Sequence, residues 1–393
     1  MAGTAPAPPV QPSLPRVRLA PSEPEGRWLD NEHDALRRCW HPVALSTEVT
    51  ESPRRVWLVG EPFVAVRLHG EATVLLDRCP HRSAPLSAGT VVGDELECAY
   101  HGWRFDTGGS CTVVPSAGPG SAIPARADAG RPWGVLERDG LVLVALDEPV
   151  VDLPELPVPP DGAEEEAESV VLGPYEGRYG AALLIDNQID VSHFAFLHRG
   201  TFGNNGAQRT PAHRVERRQW GFATDLDVPI TAGNDPLVAT GDHPIDQHRR
   251  MSYRYRVPFH LVLHLEYPVM GGTSTLVFWA QPERAERARL YVTLRLWQPG
   301  GFTAPELAER LAFEERVARE DLDLQARFDR LALPLDPTAE CHVRSDRASL
   351  EYRRLLGCLV DEDEAEYRSR AERARPRPGT NGTSGATLTG EPS

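Results

Sequence analysis

The chain has 393 residues, 40% hydrophobic, 25% charged and 7% aromatic, an ordinary globular composition with room for about two domains and a sizeable core. It contains no lysine, so all 42 basic residues are arginine; this excludes a phosphate-loop lysine, a pyridoxal-phosphate Schiff base and a kinase strand lysine. A net charge of −15 argues against a nucleic-acid partner, because that affinity is built from surplus basic charge.

Residues 1–25 are rich in Pro and Ala without periodicity and read as a disordered tail, as do residues 370–393. No apolar run approaches the roughly 20 residues of a spanning helix, and the opening MAGTAPAPPVQPSLPRVRLAP has no apolar core of a secretory signal. A cytoplasmic location without membrane attachment is expected. Residues 26–150 carry short β-type runs (VWLVG, FVAVRL, ATVLL, ELECAY, GLVLVAL) punctuated by Gly, Pro and Asp, the pattern of a small all-β unit. Residues 151–169, rich in proline and then glutamate, read as an extended linker. The second unit, residues 170–369, contains an alternating apolar run from Tyr253 to Tyr267, read as one strand, and further β runs at TSTLVFWA and LYVTLRLW. A long helix then starts at Thr303, whose spacing to Glu306 is that of a capping box. The fold class is therefore α+β: an all-β unit, then a curved antiparallel sheet closed by a long helix.

The six cysteines (Cys39, Cys79, Cys98, Cys111, Cys341, Cys358) are too scattered for a disulfide framework. Two of them stand beside histidines, in Cys79-Pro80-His81 and Cys98-Ala99-Tyr100-His101. Two thiolates and two imidazoles on two loops are the ligand set of a Rieske [2Fe-2S] centre. Structural zinc is the competing use of such residues, but zinc knuckles usually pair Cys with Cys, whereas each loop here mixes one Cys with one His. With its flanks, CPHRSAPLSAG and CAYHGWRFD, the segment resembles the Rieske domain of Rieske-type non-haem iron oxygenases. The other four cysteines lack such neighbours and read as packing thiols.

In the second unit, DNQIDVSHFAFLH places His193 and His198 in an apolar stretch. Two histidines are part of a facial triad for Fe(II), although a spacing of five is not one helical face, so at least one belongs at a helix end. The run resembles the mononuclear-iron motif of the same family, in which an Asn or acid and then an Asp, here Asn187 and Asp190, precede the two ligands. The third ligand is expected from the long helix. There Leu307, Leu311, Val317, Asp321, Leu324, Phe328 and Leu331 form a stripe that turns Asp321 toward the core, where an unpaired charge is costly. Glu314 is the runner-up, and Asp323 points away.

The resemblance implies an α-type terminal oxygenase: a Rieske domain, then a helix-grip (START-like) catalytic domain, with one [2Fe-2S] cluster and one Fe(2+) per chain, in a homotrimer. It also implies that a cluster histidine, His101 or His81, couples through Asp190 to the iron of a neighbouring subunit; orientation of His193 is the other role open to Asp190. The expected reaction is O2-dependent hydroxylation or oxidative demethylation of a hydrophobic aromatic or polycyclic small molecule. Electrons would come from NAD(P)H through a separate reductase or ferredoxin, since the chain shows no dinucleotide fingerprint. A helix-grip binding protein without turnover and an electron carrier with an idle second domain are the alternatives. Tyr253, Tyr255 and Tyr267 are the expected substrate contacts, with Phe259 on the same face; failing that strand, the cavity falls to the segment around Asn187 and Phe202.

Overall fold

The computed structural model describes residues 27–153, 167–233 and 235–374. The expected N-terminal tail, residues 375–393 of the expected C-terminal tail and most of the Pro/Glu-rich linker lie outside the described residues, whereas residues 370–374, read as tail, continue the last helix of the chain. Strands β1 (Trp28–Leu29), β2 (His41–Leu45), β3 (Arg54–Leu58), β4 (Glu61–Leu68), β5 (Glu71–Leu76), β6 (Thr90–Val92), β7 (Glu95–Glu97), β8 (Arg104–Phe105), β9 (Cys111–Val113), β10 (Gly134–Arg138) and β11 (Leu141–Ala145) make up the N-terminal unit, with short 3-10 turns and no α-helix. Strands β2 to β11 form three small antiparallel sheets, β3-β4-β5, β6-β7-β8-β9 and β10-β11-β2.

The second unit opens with β12 (Glu168–Gly177), whose first residues fall inside the interval read as linker. Helices α1 (Ala181–Ile189) and α2 (Phe194–Leu197) follow, then β13 (Val215–Arg218), β14 (Gly221–Thr231) and α3 (Pro236–Thr240). Next come β15 (Asp246–Arg256), β16 (His260–Glu266), β17 (Thr273–Arg284), β18 (Arg287–Trp297), α4 (Ala304–Gln325), β19 (Leu333–Pro334) and α5 (Arg347–Ala374). The order β12-β18-β17-β16-β15-β14-β13 makes one seven-stranded antiparallel sheet. Among the described residues no helix is long and apolar enough to cross a membrane.

The run from Tyr253 to Tyr267 is two strands rather than one. Pro258, which cannot donate to a ladder, sits in the turn between β15 and β16, and Tyr253 pairs with Leu263 and Tyr255 with Leu261. The turn preserves the alternation, so the apolar residues of both strands still share one face. On α4 the capping box is present, with the Glu306 carboxylate accepting from the Thr303 N–H at 2.8 Å. The expected stripe fails at its last turn, where Leu324 is 41% exposed; Gln325 takes the inward position and donates to Asn187 Oδ1 at 3.2 Å.

Around β17 both faces of the large sheet are covered, which explains why ten consecutive residues of that strand, Ser274 to Glu283, are buried. On one face lie α1, α4 and α5. On the other, Leu141 and Leu143 of the N-terminal unit pack with Val262, Val277, Trp279 and Tyr291, and His260 Nε2 meets Trp40 O at 3.0 Å. The β1–β19 pair ties the start of the N-terminal unit to the segment after α4. The units joined by the linker therefore share an apolar interface. A second core, built on Val64, Val66, Leu75, Leu96 and Phe105, lies under the loops that carry Cys79 and Cys98.

Candidate metal centres

The two Cys/His loops repeat one backbone design. In the first, the Cys79 N–H donates to Ala84 O at 2.8 Å and the Ser83 N–H to Cys79 O at 2.9 Å; in the second, the Cys98 N–H donates to Trp103 O at 2.8 Å and the Gly102 N–H to Cys98 O at 3.0 Å. The residue four past each cysteine is left-handed, with φ of 56° at Ser83 and 69° at Gly102. This geometry turns each chain sharply back on its cysteine, a bend glycine adopts at least cost. Asp77, buried beneath the first loop, clamps it by accepting from the Ser87 N–H at 2.6 Å, Ser87 Oγ at 2.7 Å and Arg55 Nε at 2.5 Å.

The loops bring the two cysteines beside each other and the two histidines beside each other. Cys79 and Cys98 are free thiols, both buried. Burial, opposed by backbone hydrogen bonds at His81 and reinforced by the adjacent Cys98, pushes the Cys79 thiol up to about 11. The rings of His81 and His101 are 4.5 Å apart, and His81 stacks on Trp103 at 4.6 Å. The His81 Nδ1 atom is buried without a hydrogen-bond partner. Two adjacent thiols and an orphaned imidazole nitrogen fit a [2Fe-2S] cluster, which would satisfy that nitrogen and favour the thiolates. Exposed Tyr100 and His101 bring this site to the protein surface.

The second constellation joins two helical segments. His193 and His198 flank the single turn of α2, one at each end, which is how residues five apart come to face one point. Gly203 allows the following loop to fold back, since a Cβ there would lie 2.2 Å from Phe194 O. Asp321 enters from α4, with Oδ1 lying 3.5 Å from His193 Nε2 and 3.4 Å from His198 Nε2, while the two Nε2 atoms are 3.2 Å apart. Three donors at these separations cap one ion at roughly 2.1 Å each and leave its opposite face open. Burial favours the neutral acid at Asp321, but the hydrogen bond and charge of His198, with His193 and Asn187, outweigh it and hold the carboxyl below its usual range.

Each imidazole has its other nitrogen engaged. His193 Nδ1 donates to Asp190 Oδ2 at 3.2 Å and His198 Nδ1 to Glu320 Oε2 at 2.7 Å, which leaves both Nε2 lone pairs aimed at the shared point. Asn187 Nδ2 donates to Asp321 Oδ1 at 2.9 Å. Asn187 and Asp190 are thus placed to orient ligands, and within one chain no hydrogen bond among the described residues joins Asp190 to His81 or His101. The sequence reading missed Glu320. Its signal was adjacency to Asp321, which puts it near His198 and Thr201, whose Oγ1 donates to it at 2.9 Å.

The remaining candidates separate clearly. Glu314 is spent on Arg310, at 3.1 Å, and Asp323 is exposed. Tyr255 is core rather than a substrate contact: its hydroxyl donates to Pro258 O at 2.8 Å and its ring meets Tyr352 of α5 edge-on. Phe259 packs near His41 of the N-terminal unit. Tyr267 borders a cavity of about 360 Å³ at the start of α4, where its hydroxyl meets Arg310 Nη2 at 2.6 Å. Tyr253 is buried with its hydroxyl unpartnered and feels the charges of Asp190 and Asp321; Phe202 stacks on His198 at 4.8 Å.

Residues 39–127 match the family described as the Rieske [2Fe-2S] domain, and residues 180–362 match the vanillate O-demethylase oxygenase C-terminal domain. Methylxanthine N1-demethylase NdmA of Pseudomonas putida is 30% identical over 335 residues, covering 84% of this chain and 90% of that protein. Methylxanthine N3-demethylase NdmB of the same organism is 30% identical over 337 residues, covering 81% and 88%. The solved structure of NdmA with caffeine superposes with a TM-score of 0.73 at 29% identity, covering 85% of this chain and 94% of that one.

Proposed function

The chain belongs to the Rieske-type non-haem iron oxygenases, and on that premise we propose that Cys79, His81, Cys98 and His101 hold its [2Fe-2S] cluster while His193, His198 and Asp321 hold its Fe(II). Residues 26–150 form the electron-accepting unit and residues 170–369 the oxygenase unit. When bound, the cluster supplies one-electron transfer and the iron supplies oxygen activation. Everything else is the work of this chain's side chains. Asp190 and Glu320 fix the tautomers of the two histidines, Asn187 steadies Asp321, and Phe202 shields His198 from water. The convergence of three ligand atoms from α2 and α4 on one point carries this reading.

The substrate is a small aromatic or heteroaromatic molecule bearing an N- or O-methyl group, as the names of the relatives suggest for their own substrates. One atom of O2 enters a methyl C–H bond and the other leaves as water, consuming two electrons and two protons. The hydroxymethyl product then releases formaldehyde and the free N–H or O–H. The electrons arrive from NAD(P)H through a separate reductase or ferredoxin at the exposed His101 edge. Asp190 opens onto a cleft of about 1390 Å³ bordered by His193, Phe196, Arg214 and Arg347, a place for the cluster edge of a neighbouring subunit in a homotrimer. The protein works in the cytoplasm. Anaerobically prepared enzyme, mixed with a reductase, NADH, oxygen and a panel of methylated aromatics, should release formaldehyde in step with oxygen uptake. Oxygen uptake that no member of a broad panel stimulates would count against the reading.

A further inference from the structure

The inward face of β14 and β15 carries polar groups that the iron site does not use. On β15 the inward residues are Gln247, Arg249, Met251, Tyr253 and Tyr255, all buried. Arg249 is 5% exposed, yet its Nε has no partner, its Nη2 meets only Met251 Sδ at 3.7 Å, and among the described residues no carboxylate pairs with it. Its guanidinium lies 4.4 Å from the ring centroid of Phe202 and 5.8 Å from that of Phe194. Phe202 in turn stacks on the iron ligand His198. Tyr253, two residues along β15, has a buried hydroxyl without a partner and feels the charges of Arg249, Asp190 and Asp321. Directly across the ladder from Tyr253 stands Thr224 of β14, whose hydroxyl is also buried and unpartnered.

A buried guanidinium without a counter-charge is costly, and two ring faces compensate it only in part. A planar fork of N–H donors is matched best by a carboxylate, which accepts two parallel hydrogen bonds and restores neutrality. The chain is strongly acidic, so an anionic ligand needs such a buried cation to hold it.

We propose that Arg249, with Tyr253 and Thr224, forms a carboxylate-binding subsite, and that the substrate is an aromatic acid whose carboxylate seats on Arg249. Phe202 bridges the two, 4.4 Å from Arg249 and 4.8 Å from His198, so a substrate ring lying alongside Phe202 would bring the end opposite its carboxylate toward His198. This assignment rests on the oxygenase reading and names its substrate class.

The test compares 4-methoxybenzoate with its neutral isostere 4-methoxybenzamide by calorimetry on the anaerobic, cluster- and Fe(II)-loaded protein. The wild type should bind the acid at least tenfold more tightly than the amide. Arg249→Met, which keeps the apolar stem, should lose at least tenfold in affinity for the acid while amide binding changes less than threefold. Tyr253→Phe should lose two- to fivefold for the acid. Equal affinity of the wild type for the two probes overturns the proposal, as does no saturable binding of the acid or an unchanged preference in Arg249→Met with cluster absorbance intact. Should Arg249→Met fail to fold, the wild-type ratio and Tyr253→Phe decide. Tight binding of the acid with no oxygen uptake under any donor would contradict the oxygenase reading alone. Turnover of neutral substrates by a wild type indifferent to the carboxylate would overturn the subsite alone.

Discussion

The cluster loops and the iron centre solve the same problem, holding metal ligands in a fixed array, with different means. The proposed cluster ligands lie on two adjacent loops that share the same two backbone hydrogen bonds and a left-handed residue at the same position, with the Asp77 carboxylate clamping the first loop. The proposed iron ligands come from two ends of a one-turn helix and from a long helix far along the chain, and their aim is set by side chains: Asp190, Glu320 and Asn187. The first array is a local property of the sequence and the second a tertiary one. Damage to one should therefore leave the other standing, and the iron centre should be the more fragile of the two.

The sharpest break of this contrast is removal of a ligand. Asp321→Ala should abolish product formation, a fall of about a thousandfold or more by analogy with the loss of a residue that acts as part of a unit, with the cluster's visible and paramagnetic spectra unchanged. His101→Ala should do the reverse, losing the cluster signal while mononuclear iron remains. Glu320→Ala should weaken Fe(II) binding about 10- to 100-fold, the usual range for a residue that orients a ligating histidine, and Glu320→Gln should recover part of that loss because its amide oxygen still accepts from His198 Nδ1. Gly102→Ala should cost about 1–2 kcal/mol, since it places a side chain at positive φ, and should make the cluster more labile without changing iron affinity; thermal melting and sulfide release measure both. Smallest is Tyr255→Phe, which removes one buried hydrogen bond worth about 1 kcal/mol. It should lower the melting temperature slightly and leave the product unchanged.

The same contrast explains what could be read from the sequence. The four cluster candidates were legible because Cys79-Pro80-His81 and Cys98-Ala99-Tyr100-His101 carry their chemistry in short spacings. His193 and His198 gained meaning only beside them, and Asp321 was found through helical periodicity that makes a buried carboxylate conspicuous. Glu320 was not found, because partnership with His198 is a packing relation that periodicity does not encode. The same limit applies to the aromatic run: alternation predicted one apolar face correctly, yet it continues unbroken through the turn at Pro258 and does not say that Tyr255 packs on α5 while the Tyr253 hydroxyl is left buried and unpartnered. Leu324 shows the converse, since an apolar residue at an expected stripe position stays exposed when a neighbouring Gln325 has the better polar contact inside.

The claim that one chain carries two independent metal centres, one held by loops and one by helices, is tested most directly by counting iron and acid-labile sulfide in the purified wild type and in Asp321→Ala. The account predicts three irons and two sulfides per chain in the first, and two irons and two sulfides in the second, with identical cluster spectra. Zinc in place of iron, or an Asp321→Ala protein that keeps the third iron or loses its sulfide, would contradict it.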